Sequence, residues 1–181
     1  MQRWLLIVTV IVGGGLKMHA GISKNQCIRQ FGQVRCENHA VGNLNASGVV
    51  YLNNMTVKTA CQLQGKVQIV SSVIGKLNTY GQLIIEATTV HGPSRLYGNG
   101  LIQRTHYQNS LWIWSNEISA SNSTFDTDIV IHGDSHRTCN VILSENTKIL
   151  GDVVFKGCTG RIELKTGSSV YGTIVDGEVV T

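Results

Sequence analysis

The sequence predicts an all-β, single-domain parallel β-helix, a solenoid of roughly six to seven short coils, and two observations carry that expectation. Near the C-terminus, Val141 to Gly157 and Ile162 to Gly177 match at a constant offset: Val141, Leu143, Ile149, Gly151 and Val153 meet Ile162, Leu164, Val170, Gly172 and Ile174. Each copy runs through a short alternating strand, a polar turn and a second strand ending in apolar-x-Gly. The same ending recurs upstream at Val73-Ile74-Gly75, Val90-His91-Gly92 and Ile131-His132-Gly133, each after a run of period-two alternation. An antiparallel sandwich also has many short strands between turn residues, but it does not require residues to match at a near-constant offset.

A single coil leaves its inward side chains in water. Stacking at about 4.8 Å per rung buries them and pairs the backbone. The offset from Val73 to Val90 is shorter than that from Ile149 to Val170, so the coils change length at their corners. Gly, Asn, Ser and Thr at those corners supply sharp bends.

Composition agrees. A chain of 181 residues bounds the answer to one domain with a sizeable core, and it carries 20 Gly, one Pro (Pro93) and 14% charged residues. A disordered chain has the opposite balance. Beyond the first residues, no stretch sustains the apolar period of a long helix. The net charge of +4 includes Arg3 and Lys17; without them 13 basic residues face 11 acidic ones, with no basic cluster. Nucleic-acid binding, which rests on several phosphate contacts from one basic surface, is not expected.

Residues 1–20 read as a signal peptide. Arg3 precedes the apolar run Trp4 to Val12, too short to span a bilayer, and Met18-His19-Ala20 offers a small residue at the exit. The alternative is an uncleaved anchor. After cleavage near Gly21, no transmembrane segment is expected, and the mature chain is read as periplasmic, associated with the outer envelope, or secreted.

Export changes the reading of the five cysteines, because an oxidising compartment favours disulfides. Cys27 and Cys36 enclose a short loop, and a disulfide there makes residues 21–40 an N-terminal cap on the β-helix of residues 41–181. Cys139 and Cys158 lie near one coil length apart, so they either bridge adjacent rungs or sit as small buried apolar residues. Cys61 is left over. Three sequons, at Asn45, Asn54 and Asn122, matter only in a eukaryotic secretory pathway, and Asn at a solenoid corner serves equally as a turn or ladder residue.

Residues 93–125 show the repeat least clearly, which suggests an irregular, wider coil or a projecting loop. Within them, Leu111-Trp112-Ile113-Trp114 alternates. With Leu111 and Ile113 inward, Trp112 and Trp114 project from one face and, with Tyr107, form a candidate binding surface for a protein or a sugar. The opposite register places both indoles inside. Asp128, His132, Asp134 and His136 are weak candidates for a metal site, since alternate residues of an extended chain share a face, but Gly133 interrupts that geometry. No cofactor is expected. The chain has no Gly-x-Ser-x-Gly elbow, phosphate loop or paired-cysteine zinc motif, and no catalytic residue or enzymatic activity is assigned.

The block Ile162-Glu163-Leu164-Lys165-Thr166-Gly167-Ser168-Ser169-Val170-Tyr171-Gly172-Thr173-Ile174 resembles the coils of bactofilins, small polymer-forming β-helix proteins. The resemblance covers Val141 to Gly177 and, loosely, Val67 to Gly92; it implies the solenoid shape and association through uncapped ends. The expectation is therefore a non-catalytic structural or interaction protein of the envelope or secreted space. It would associate with itself or a protein partner through solenoid ends or the tryptophan face. The alternative is a secreted protein that binds or modifies a polysaccharide.

Overall fold

The computed structural model describes residues 27–180; the expected leader and its cleavage site lie outside them. The chain winds into a parallel β-solenoid of about nine turns rather than six or seven, with no helix among the described residues. Each turn presents three faces. Face A opens with the strand Gln33–Glu37 and pairs upward through residues 49–53, 66–70 and 82–86 to Gly100–Gln103, Glu117–Ser121, residues 140–144, residues 160–163 and Gly177–Val180. Face B is narrow, with two-residue steps such as Thr89–Val90, His106–Tyr107 and Thr124–Phe125. Face C stacks residues 43–47, 60–64 and 76–80 under Ser94–Tyr97, Leu111–Trp114, Ile129–His132 and Val153–Lys156.

The C-terminal match seen in the sequence is a true rung register: Val141 lies against Ile162, Leu143 against Leu164, Ile149 against Val170 and Val153 against Ile174. Alternation does the rest. On every strand one set of side chains points into the coil, and the interior becomes a column of Val, Leu and Ile from Val34 to Ile162. Burying each such side chain contributes about 1.5–3 kcal/mol.

Two corners fix the winding. From face C to face A the N-terminal turns use Gly48, Gly65, Gly81 and Gly98, with φ from +104° to +119°. A Cβ on any of them would collide with the carbonyl oxygen of the glycine one rung below, starting from Gly32. Only glycine meets both demands. From face A to face B a single left-handed residue (Asn54, Ser71, Ala87, Arg104 or Asn122) precedes a buried position, which from Ser72 onward holds a hydroxyl. Ser72, Thr88, Thr105 and Ser123 each donate to the carbonyl two residues back, at 2.8 to 2.9 Å. Some also accept the N–H of the rung below, as Ser123 does from Thr105 at 3.1 Å. The bend therefore leaves few buried polar groups without partners. Asn54 and Asn122 of the sequons occupy these corners, and Asn54 Nδ2 donates to Asn38 Oδ1 one rung away at 2.7 Å.

The middle differs from its sequence reading. Residues 93–125 are neither a projecting loop nor an irregular coil: six strands, Ser94–Tyr97 to Thr124–Phe125, occupy faces C, A and B twice over in continuous register. The repeat is obscured because Ser115 replaces glycine at the corner after Gly98; its Oγ accepts the N–H of Glu117 at 3.1 Å. The irregularity comes later, where Glu117 pairs with Asn140, a longer step than the rungs before it, around the exposed segment 134–138.

Both candidate cysteine pairs are disulfides. Cys27–Cys36 ties a hairpin, Ile28–Gln30 against Gln33–Glu37, onto the first edge of face A. Cys139–Cys158 spans adjacent rungs with a Cα separation of 6.0 Å and closes the loop after Gly133, where an added Cβ would strike both sulfurs. Cys61 is a free, buried thiol inside the coil. Two disulfides suggest an oxidising environment, in line with export. Among the described residues no helix is long and apolar enough to cross a membrane.

Candidate functional site

Alternation on face C positions the candidate surface. Leu111 and Ile113 are buried at 1% exposure, so Trp112 and Trp114 project outward. Because face C is in register, each outward ring meets the one a rung away. Tyr80, Tyr97, Trp114 and His132 form a continuous stack with centroid separations of 4.5, 4.3 and 4.6 Å and interplanar angles of 6° to 10°. Parallel rings at this spacing cover each other: the inner rings have both faces closed, and edges meet the solvent. Trp112 stands in the neighbouring row with the Arg95 guanidinium over its ring, 5.9 Å from the centroid. That row continues through Val130, Val154 and Val175. The result is an outer sheet surface on which an aromatic row lies beside an apolar one, with the charged Arg95 and Lys156 at its margins. Parallel sheets are normally covered on both sides, and an uncovered apolar face of this kind is typical of an interaction surface.

Tyr107 is not part of it. The strand His106–Tyr107 turns His106 outward and Tyr107 into the core, where it is 0% exposed and stacks on Phe125 at 5.4 Å. It lies one rung from Val90, its register partner, and takes the same core position. Its hydroxyl has no hydrogen-bond partner, and burial pushes the phenol pKa up.

The metal candidates diverge. His132 belongs to the ring stack, and its pKa is lowered, first by burial and then by the Lys156 charge on the next rung. Asp134 Oδ1 accepts the N–H of His136 at 3.2 Å in an exposed turn. Asp128 Oδ1 accepts the N–H of Asp152 at 2.9 Å, and Asp152 Oδ1 accepts that of Thr173 at 2.7 Å, so these carboxylates tie the corner from face B to face C. Among the described residues no group of three or more His, Cys, Asp or Glu is placed to hold a metal ion.

Tyr80, Tyr97 and Arg95 were missed in the sequence, although the step from Tyr80 to Tyr97 equals that from Tyr97 to Trp114. That period was the available signal. A second surface feature, a groove along face A, passes between outward columns that begin at Val49 and Tyr51.

Compared with known proteins, the chain matches no family model, and no curated protein or solved structure is similar to it at significance. The likeness to bactofilins stands at the level of the β-helix architecture alone.

Proposed function

We propose that this is a non-catalytic, exported structural or interaction protein that docks a flat protein surface, a second copy included, through face C. The observation that carries this reading is the stack from Tyr80 to His132 beside the row Trp112, Val130, Val154 and Val175. A sugar-binding platform needs an open aromatic face for C–H contact. Here the Tyr97 and Trp114 faces are occupied, and one face of Trp112 meets Arg95. What remains is a largely apolar sheet surface with charge at its margins, the complement of another sheet or a helix pair.

The C-terminal rungs offer a second contact, since Leu150, Tyr171, Val175 and Val179 are exposed there. Head-to-tail stacking of the bactofilin kind is opposed on face A, where the antiparallel strand Ile28–Gln30 already occupies the first edge.

Sedimentation velocity of the disulfide-bonded protein tests the reading, together with a photo-crosslinking residue at Val154 in the native host. A self-associated species, or a discrete protein adduct, that disappears in Val130→Lys with the melting temperature kept is the expected result. A monomer at high micromolar concentration, combined with no adduct from Val154, would sink it.

A further inference from the structure

We propose that face A carries a second, separate site: a groove that binds a linear, uncharged polysaccharide lying along the solenoid axis. Two cavities of about 320 Å³ each lie end to end between two columns of outward side chains and share Glu117. Together they run from the rung of Tyr51 to that of Val180, seven steps of about 4.8 Å, or roughly 34 Å.

The two walls differ in chemistry. One offers a hydrogen-bonding group on nearly every rung: Lys66, Gln82, Asn99, Glu117, Asn140 and Arg161. Opposite, the apolar side chains of Tyr51, Ile84, Leu101, Ile142 and Val180 alternate with Gln68, Ser119 and Glu163, and Tyr51 and Leu101 are more than a third exposed. Asn99 is braced, because its Oδ1 accepts from Ser115 Oγ at 3.2 Å. A pyranose chain is amphipathic in the same way, with hydroxyls around its rim and C–H groups on its faces, and it presents this pattern once per sugar.

Other polymers fit worse. An extended peptide is captured mainly through backbone pairing with a sheet edge. From the rung of Tyr51 to that of Arg161 the backbone groups of face A are already paired to the rungs above and below, and the last described rung, Gly177–Val180, is paired on one side. A polyanion needs a net positive lining, whereas Lys66 and Arg161 are balanced by Glu117 and Glu163. Groups that can hydrogen-bond but carry no net charge select a neutral ligand rich in hydroxyls.

The site is independent of the docking face, and the experiment keeps them apart. Calorimetric titration of the disulfide-bonded protein uses cellohexaose, chitohexaose and a linear β-1,3-glucan hexamer as probes, with polygalacturonate as the charged comparison. Saturable binding of at least one neutral hexamer is expected. Tyr51→Ala should weaken it about tenfold, the loss of one aromatic contact. Leu101→Asn should weaken it as well, and Val130→Lys on face C should leave it unchanged. Both altered groove residues point outward, so the melting temperature should hold. Failure of all neutral hexamers to saturate at millimolar concentration would overturn the site. So would preference for polygalacturonate, or binding that survives both groove substitutions.

Discussion

Trp114 lies between Tyr97, 4.3 Å away at 10°, and His132, 4.6 Å away at 6°, so an indole on the outer surface has both faces covered. Its contribution to stability should therefore exceed that of an ordinary surface residue. Each stacked pair is worth about 0.5–1.5 kcal/mol. Trp114→Ala should cost about 1–3 kcal/mol, measured by urea unfolding, while Trp112→Ala, outside the stack, should cost less. Equal losses at the two positions would show that the stack adds nothing to stability.

Gly65 and Gly42 separate two roles of glycine. Gly65 has φ of +111° and lies against the Gly48 carbonyl, whereas a Cβ on Gly42 would meet nothing within 4 Å. Gly65→Ala should abolish the yield of folded protein or lower its melting temperature sharply. Gly42→Ala should fold normally. A tolerated Gly65→Ala would mean that the N-terminal corners can shift without loss.

Tyr107 keeps an unpartnered hydroxyl in the core against Phe125. Removing that oxygen without changing the ring relieves a desolvation cost of about 1–3 kcal/mol. Tyr107→Phe should be as stable as the parent or more so, by thermal or urea melting. A clear destabilisation would point to a buried water or another partner for the phenol.

The Cys139–Cys158 bond joins positions at a sequence separation of 19. On the chain-entropy account such a loop is worth about 3 kcal/mol. Replacing both cysteines by Ser should lower unfolding free energy by a comparable amount. Hydrogen exchange should show the loss concentrated near segment 134–138 rather than at the N-terminal rungs.

His132 gives a pH signature. Its folded pKa lies below the ordinary value of about 6.5, through burial first and the Lys156 charge second. The unfolded chain therefore binds more protons between the lowered value and about 6.5, so stability rises with pH across that window and is lost as pH falls through it. Melting temperatures from about pH 5 to pH 7.5 should show a slope that flattens in His132→Gln. An unchanged slope in the variant would assign the effect to other groups.

The solenoid was legible because inward Val, Leu and Ile recur with the coil, and the C-terminal match from Val141 to Ile174 proved to be the physical register. The disulfides were legible from spacing and expected compartment, although spacing alone left Cys139 and Cys158 open between a bridge and two buried thiols. Coil number was underestimated because the N-terminal turns are shorter than the C-terminal pair that set the expected coil length. The apolar-x-Gly signature also merged two different corners: Gly75 and Gly92 end face B, whereas Gly133 follows face C. Tyr107 was misplaced because a lone two-residue strand shows too little alternation to set its inner face. The groove along face A could not be read from sequence, since its walls come from residues a full turn apart that become neighbours only by stacking.

The glycine column from Gly32 to Gly98 has a consequence for length. Each N-terminal turn meets its neighbours through the same carbonyl-over-glycine contact, nearly the same length of chain and the same inward apolar set. A whole turn between Gly48 and Gly81 is thus an interchangeable unit, since adding or removing one restores an equivalent junction. The N-terminal half behaves as a ruler graduated in steps of about 4.8 Å. Gene duplication, or a designer, can reset the distance between its two ends without redesigning either.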